Sequence, residues 1–218
     1  MGKKVNPIAF RLGVLNSWKS RWFANRHDYQ TLLLQDISLR KFLMNRLKSA
    51  GILKVEIERS INTIKIYIYV NRPGVVIGKG GSGLETLQKE IKTLLHIKEN
   101  DNKAMKVDVK VEEIKNTALY AYLVGQRIAD QLIGRYPHRR AVAQAIEKTM
   151  EAGAKGIKVQ LSGRIGGAEI GRSEKYFQGS IPTQTLRADI DFAEVPALTR
   201  SGYVGIKVWI YKGEKKIA

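Results

Sequence analysis

The sequence contains no cysteine. This excludes disulfide scaffolds, thiolate metal sites and cysteine nucleophiles, and it is compatible with a reducing compartment. Long apolar runs are missing as well, because no stretch approaches the roughly 20 apolar residues of a membrane helix. The N-terminus MGKKVNPIAF also lacks the apolar core of a secretion signal. We therefore expect a cytoplasmic protein without a membrane segment.

Acidic residues are few in this chain. Its 218 residues include 38 lysines and arginines against 20 acids, which gives a formal net charge of +18. An imbalance of this size indicates attraction to a polyanion such as a nucleic acid. Because 44% of the residues are hydrophobic, the chain can bury real cores, and its length suits one large or two small globular domains.

A glycine-rich stretch at residues 77–84, IGKGGSGL, contains two overlapping motifs. Gly78, Gly80 and Gly83 form G-x-G-x-x-G, a fingerprint of dinucleotide-binding folds, whereas residues 78–81 form G-x-x-G, an RNA-binding loop. The dinucleotide motif requires a buried strand that runs directly into its first glycine, and Pro73-Gly74 interrupts that approach. The G-x-x-G motif requires two helices joined by a tight turn, which the surrounding pattern predicts.

We therefore favour an RNA-binding loop. Gly78, Gly80 and Gly81 let the backbone approach a sugar-phosphate chain, and Lys79 supplies a charge for phosphate. Ser82 and Glu85 predict a capping box at the start of the following helix, and Gly83 has no role in this interpretation. Replacing Gly78 and Lys79 by aspartate is expected to weaken RNA contact while leaving the fold intact.

The hydrophobic pattern predicts an α+β protein with two domains. The first has a helix over 29–48, a hairpin with strands around 55–57 and 64–70, a helical turn after Pro73, a helix from Ser82 and a strand ending near Glu113. The second has helices over 117–133 and 139–152, followed by strands at 157–161, 186–192 and 206–210. Between the first two of these strands, Arg164 and Arg172 flank Gly166-Gly167. This loop either lets RNA or a partner approach closely or is only a basic hairpin tip.

Residues 1–27 carry six basic residues and no acid. We expect an arm that lies extended on a polyanion, with phosphate contacts from Lys3, Lys4, Arg11 and Arg21. Trp18 and Trp22 either stack on bases or pack onto a domain, and the sequence leaves both alternatives open.

Several long strings resemble, in order, the third protein of the small ribosomal subunit in its bacterial form. They include MGKKVNPIAFRLG, RPGVVIGKGG, SGRIGGAEIGRSE, TLRADIDF and GIKVWIYKGE. The resemblance implies a type II KH domain at 28–115, a family-specific α+β domain at 116–213, a basic arm at 1–27 and a short tail at 214–218. It also implies a structural component of the small ribosomal subunit rather than an enzyme, without cofactor or metal.

Members of this family bind ribosomal RNA in the subunit head, line the channel through which messenger RNA enters, and contact ribosomal proteins ten and fourteen. By resemblance, Arg139 and Arg140 hold the message and help to unwind it without ATP. A third basic position of the family is Ala143 in this chain, so Arg135 is a candidate substitute. Arg164 and Arg172 are expected to contact ribosomal RNA. The alternative function is a free KH-type RNA-binding regulator.

Other polar residues do not form an active site. His27, His96 and His138 are widely spaced and show no metal-ligand pattern. Asp189 and Asp191 share a strand, but no nucleophile accompanies them, and they are expected to pair with arginines or with neighbouring proteins.

Overall fold

The computed structural model describes residues 4–95 and 106–215. Within them the chain forms six α-helices and eight β-strands. The helices are α1 (Pro7–Phe10), α2 (Arg26–Arg46), α3 (Pro73–Ile77), α4 (Ser82–Leu94), α5 (Ala121–Ile133) and α6 (His138–Glu151). The strands are β1 (Ser20–Arg21), β2 (Ile52–Arg59), β3 (Thr63–Val70), β4 (Lys106–Glu113), β5 (Gly156–Gly163), β6 (Arg172–Gly179), β7 (Ala188–Thr199) and β8 (Gly202–Glu214).

The chain divides into two compact units. One unit runs from Trp18 to Lys115, and the other joins the segment that ends at Ser17 to the chain from Asn116 onward. We call them the KH unit and the C-terminal unit. The segment expected to form a single extended arm, residues 1–27, is therefore divided between the two units. Hydrogen bonds described below hold each part of it to its own unit.

The KH unit is a four-stranded sheet with helices on one face. The strand order is β1-β2-β3-β4, in which β2 and β3 are antiparallel and β4 runs parallel to β3. Ile64, Ile66 and Ile68 alternate with exposed and half-buried residues, and they are buried in one core with Leu43 of α2 and Ile91 of α4. The predicted order of helix, two strands, two helices and strand is confirmed.

A buried carboxylate anchors the beginning of the KH unit. Asp36 of α2 is 1% exposed and accepts hydrogen bonds from the Ser20 hydroxyl and the Trp22 indole at 2.9 and 2.8 Å. Arg59 of β2 donates to the same carboxylate from Nε and Nη2, at 2.8 and 2.6 Å. For Trp22 the sequence left open whether the ring stacks on bases or packs onto a domain. The hydrogen bond to Asp36 shows that it packs onto the KH unit.

The C-terminal unit is an antiparallel sheet in the order β6-β5-β8-β7, with α5 and α6 packed on one face. Its core includes Ile128 of α5, Val142 of α6 and Val208 of β8. The predicted helices and three of the strands are present, which confirms the α+β class. The sequence did not predict β6, because this strand lies at the sheet edge, where Tyr176 alone among its residues packs against the core cluster.

Candidate nucleic-acid interface

The G-x-x-G loop joins α3 to α4 and is built on left-handed glycines. Gly78, Gly80 and Gly81 have φ angles of 70°, 61° and 87°, a region that side chains with a Cβ rarely adopt. Lys79 stands between them and is exposed. The loop therefore presents backbone and one cation to solvent, as the sequence predicted.

Gly83 is essential to this turn. A Cβ at Gly83 would lie 2.6 Å from the carbonyl oxygen of Val76 and 2.9 Å from that of Ile77. Only glycine lets the first turn of α4 approach the last turn of α3 so closely. The interpretation that Gly83 has no role is therefore wrong, since its contribution lies in packing that the loop motif does not reveal.

The predicted capping box is also wrong. Ser82 is the first residue of α4, and its hydroxyl donates to the carbonyl oxygen of Lys79 at 2.9 Å. Gly81 occupies the N-cap position and has no side chain to bond the amides of the first turn. These amides and the positive end of the helix dipole are consequently directed toward the loop side, where an anion would be stabilised.

The proposed aspartate substitution at Gly78 would not leave the fold intact. Gly78 combines a φ of 70° with a ψ of −176°, a region essentially restricted to glycine. A Cβ there would also lie 3.0 Å from the backbone nitrogen of Gly83. Gly80 is the better position for a substitution, because its φ of 61° and ψ of 19° are tolerated by aspartate and no atom lies within 4 Å of its Cβ position.

Two apolar side chains beside the loop were missed by sequence reasoning. Val75 and Ile77 of α3 are 53% and 38% exposed, whereas Val76 between them is buried. A helix of a single turn can bury only one of three consecutive apolar residues, and this was the available signal. The exposed pair gives nucleotide bases an apolar surface next to the phosphate-binding backbone.

A second basic surface surrounds the start of α6. Arg135, Arg139 and Arg140 are exposed, and we call them the cationic turn. The Arg140 guanidinium lies 5.7 Å from the centre of the Tyr136 ring. The first turn of α6 reads HRRA, so positive side chains occupy the end of the helix where they are least favourable for folding.

Arg135 has an unusual backbone conformation. Its φ of 60° makes it the one non-glycine residue with positive φ among residues 4–95 and 106–215. The backbone N–H of Tyr136 donates to the carbonyl oxygen of Gln131 at 2.9 Å, and that of Arg135 donates to the carbonyl oxygen of Leu132 at 3.1 Å. This is the Schellman arrangement that ends many helices, and glycine is the residue normally found at the position of Arg135.

A hydrogen-bonded cluster connects α6 to the edge strand β6. Glu174 accepts from the Tyr176 hydroxyl at 2.5 Å, and it bonds His138 Nε2 at 3.1 Å and Arg172 Nε at 2.7 Å. The Tyr176 hydrogen bond, with the charges of His138 and Arg172, lowers the pKa of Glu174 against the opposing effect of burial. The cluster brings Arg172 to the same surface as Arg139, which interacts with the Tyr176 hydroxyl.

The predicted loop between β5 and β6 lies beside this surface. A Cβ at Gly166 would lie 3.7 Å from Nδ1 of His138. Arg164 orders the loop, because its guanidinium donates to the carbonyl oxygens of Ala168 and Ser201 at 2.9 and 3.3 Å. Arg164 remains exposed, so it can also meet an anion from solvent.

Arg11 is not an RNA contact. Its side chain is 0% exposed and its guanidinium donates to the carbonyl oxygens of Ala188, Pro7 and Thr185 at 2.7, 3.0 and 2.8 Å. The prediction that Arg11 binds phosphate is therefore wrong, because every direction of its guanidinium is occupied by backbone. It holds the N-terminal segment to the C-terminal unit.

The remaining residues predicted from the basic arm have different environments. Lys4 is exposed, and Lys3 lies outside the described residues. Arg21 is half-exposed and donates to Glu58 and Glu56 at 3.0 and 3.3 Å. Two carboxylates thus compensate the charge of Arg21, which reduces its attraction for phosphate.

The two neighbouring acids of β7 have structural partners. Asp191 accepts the backbone N–H of Ala121 at 2.9 Å and caps the start of α5, whereas Asp189 pairs with Lys215 at 2.8 Å. Among the described residues these partners are a lysine and a backbone amide rather than arginines, and pairing with neighbouring proteins stays a prediction. Burial raises the pKa of Asp191, and the Ala121 hydrogen bond and the charge of Lys212 act in the opposite direction.

No cluster of histidine and acidic residues that could hold a metal ion occurs in the described part of the chain. No helix there is long and apolar enough to cross a membrane.

Two family models match the chain, one mainly in the KH unit and the other within the C-terminal unit. A family described as "KH domain" matches residues 38–119, and a family described as "Ribosomal protein S3, C-terminal domain" matches residues 128–210. Small ribosomal subunit protein uS3 of Bacillus anthracis is 50% identical over 98% of this chain and 94% of the relative. The uS3 protein of Shouchella clausii is 48% identical over the same shares. The chain therefore belongs to the uS3 family of bacterial small ribosomal subunit proteins, as an RNA-binding structural component and not an enzyme.

Proposed function

We propose that the chain binds ribosomal RNA in the head of the small subunit and lines the channel through which messenger RNA enters, assisting the unwinding of the message during translation in the cytoplasm. The observation that carries this proposal is the cationic turn. Three exposed arginines surround the N-terminal end of α6, and the helix dipole adds to their positive potential.

The cationic turn suits a phosphate backbone for an electrostatic reason. Positive side chains at a helix N-terminus repel the dipole, and a bound phosphate would remove that repulsion. Arginines bind phosphate whatever the base sequence. A surface over which many different messages move requires such sequence-independent binding. A grip on one strand opposes re-pairing behind it, so unwinding follows from the force of translocation and needs no ATP.

The G-x-x-G loop supplies the second part of the proposal. Its left-handed glycines, the uncapped first turn of α4 and Lys79 offer backbone amides and one cation to a sugar-phosphate chain. Exposed Val75 and Ile77 provide an adjoining apolar surface for bases. We propose that this loop binds ribosomal RNA.

Further RNA contacts are proposed for Arg164, Arg172 and Lys4, which remain exposed. Arg21 is a weaker candidate because of its two acidic partners.

Ribosomal proteins ten and fourteen are the proposed protein neighbours. Chemical crosslinking of assembled small subunits followed by mass spectrometry tests both neighbours, and crosslinks to neither would contradict them.

The cationic turn is tested by translation of messages with and without a stable hairpin. Ribosomes carrying Arg139→Ala and Arg140→Ala together should be slowed more on the structured message. Lys148→Ala is the matched control, because Lys148 is an exposed cation at the opposite end of α6. Equal slowing on both messages would contradict a role in unwinding.

Ala143 offers a gain-of-function test of the same surface. Ala143 is exposed and lies one helical turn after Arg139 and Arg140. Ala143→Arg should speed translation through the hairpin, while Ala143→Gln serves as the neutral control of similar length. An equal effect of the two variants would mean that charge at this position is not used.

The loop is tested with Lys79→Asp and Gly80→Asp together, which its backbone tolerates. The matched control is Lys79→Gln with Gly80→Asn, which has similar shape without negative charge. The aspartate pair should weaken binding of ribosomal RNA fragments well beyond the control, with unchanged amide protection of β3. Equal affinities would show that the loop is not an RNA contact.

A further inference from the structure

The N-terminal segment covers part of the face of the C-terminal sheet opposite α5 and α6. An aromatic row crosses the remaining open face. Cross-strand pairing places Phe177 of β6 beside Lys158 of β5, Lys158 beside Trp209 of β8, and Trp209 beside Phe192 of β7. We call these four residues the aromatic row. Phe177 is 74% exposed. The Phe192 and Trp209 ring centres are 5.1 Å apart, and Nζ of Lys158 lies 5.1 Å from the Trp209 ring centre.

Lysines flank this row on one side. The neighbouring cross-strand row contains Lys175, Gln160, Lys207 and Glu194. Of the two lysines in this second row, Lys207 forms an ion pair with Glu194, with Nζ 2.9 Å from Oε1. The pKa of Lys158 is lowered by burial and, in addition, by the charges of Lys4 and Lys175. Positive charge is therefore concentrated here beyond what the local acid compensates.

The N-terminal segment makes a groove along the same face. The groove has a volume of about 370 Å³, and its walls include Phe10 and Pro7 on one side and Phe192 and Trp209 on the other. Lys4 also lines it. Flat apolar walls with a cation at the rim suit an unstacked nucleotide, whose base is planar and whose phosphate is anionic.

The open face of the KH sheet has a different charge balance, so excess positive charge is not common to both sheet faces of this chain. Across that face Arg21, Glu58, Lys65 and Asp108 stand in successive strands, so that charges alternate in sign. The next rows add two acids, two lysines and two tyrosines: Glu56, Tyr67 and Lys110, then Lys54, Tyr69 and Glu112. Four cations meet four anions there. The C-terminal face differs because its lysines outnumber its acids.

We propose that the open face of the C-terminal sheet binds single-stranded RNA, with bases stacked on the aromatic row and phosphates held by the lysines beside it. The inference rests on the proposed function for its class of ligand, but it uses a surface separate from the cationic turn and the G-x-x-G loop. Excess positive charge favours RNA over a protein partner, for which a charge-balanced surface such as the KH sheet face is better suited.

The test uses the full chain in which the other two surfaces are silenced by Arg139→Ala, Arg140→Ala, Lys79→Asp and Gly80→Asp. This background should retain salt-dependent binding of a fluorescently labelled single-stranded oligouridylate. Adding Phe177→Ala should then weaken binding about tenfold, since stacking of one base contributes on that scale. Phe177→Tyr should restore it, and Phe23→Ala, at a 94% exposed aromatic of the KH unit, should leave it within twofold.

Lys175→Ala provides a second readout in the same background. It should lower the slope of log affinity against log salt by about one. Two results would overturn RNA binding by the aromatic row and leave the proposed function intact. One is loss of all binding in the four-substitution background, and the other is unchanged affinity and salt slope on adding Phe177→Ala or Lys175→Ala. Background affinity equal to wild type would instead count against the cationic turn and the G-x-x-G loop.

Discussion

Replacing Arg11 by alanine is expected to destabilise the C-terminal unit even when RNA is absent. The buried guanidinium donates to Ala188 from Nε at 2.7 Å and to Pro7 from Nη1 at 3.0 Å. Its Nη2 donates to Thr183 and Thr185 at 2.9 and 2.8 Å. One side chain thus satisfies carbonyl groups of α1, of the segment before β7 and of β7 itself.

The size of the effect follows from these four bonds. A hydrogen bond from a charged donor contributes about 1.5–3 kcal/mol, so independent bonds would sum to roughly 6–12 kcal/mol. They share one side chain and are not additive, and burial of the guanidinium costs part of the gain. We expect the free energy of unfolding of the C-terminal unit to fall by about 3–5 kcal/mol, because the substitution leaves four buried or partly buried carbonyl groups without their donor. This is a large part of the about 5–15 kcal/mol typical of a domain.

Amide hydrogen exchange of β7 and β8 in the free chain measures this loss for the C-terminal unit alone. Arg11→Lys should recover little of it, because an ammonium group cannot reproduce the planar fork of guanidinium donors. Lys4→Ala is the control, since Lys4 is an exposed cation of the same segment. Unchanged protection in Arg11→Ala, with weaker RNA binding, would refute the structural role.

Four further outcomes are expected. Gly83→Ala should destabilise the KH unit by about 1–3 kcal/mol through overpacking, because its Cβ would lie 2.6 Å from a carbonyl oxygen of α3. Asp36→Ala should lower the free energy of unfolding of the KH unit by about 3–5 kcal/mol, since it leaves buried Arg59 unpaired, and Trp22 fluorescence reports the loosened indole. Arg135→Gly should stabilise the C-terminal unit by about 1 kcal/mol by relieving the left-handed conformation, while slowing translation of structured messages. Asp191→Asn should gain stability relative to wild type as pH rises above the ordinary aspartate pKa of 3.8, because a raised folded-state pKa makes the carboxyl stabilising when protonated and removes that contribution as it ionises.

Each expectation has a result that contradicts it. Equal unfolding midpoints for Gly83→Ala and Gly74→Ala, where a Cβ meets no atom within 4 Å, would show that the close helix approach is not required. An Asp36→Ala chain as stable as wild type would mean that the network is energetically neutral. Destabilisation by Arg135→Gly would show that the arginine side chain stabilises its own turn. A pH-independent difference between Asp191→Asn and wild type would show that Asp191 does not titrate differently on folding.

The elements of the KH unit could be predicted because their signals are local. Alternation in β3 and helical spacing in α4 reflect one buried face, and neighbours within a few residues define that face. The G-x-x-G loop was found for the same reason, as its left-handed backbone needs glycine whatever surrounds it. Gly83 was misjudged because its requirement comes from carbonyl oxygens of another helix.

Edge strand β6 and the aromatic row could not be predicted for a related reason. An edge strand buries few side chains, so its sequence shows little alternation. The row combines residues from four strands, and only strand order and register place Phe177, Lys158, Trp209 and Phe192 side by side. Each of these residues looks unremarkable within its own segment.

Composition, hydrophobic period and long matching strings need no knowledge of distant neighbours, so they were sufficient to predict the attraction to polyanions, the α+β class, the G-x-x-G loop and the family. Which cations remain free to meet RNA depends on the packing of the folded chain. Arg11 has the same charge as Arg139, yet its partner carbonyl at Ala188 lies 177 positions away in the chain. Whether an arginine binds phosphate or backbone depends on what packs around it, and only the folded chain brings those groups together.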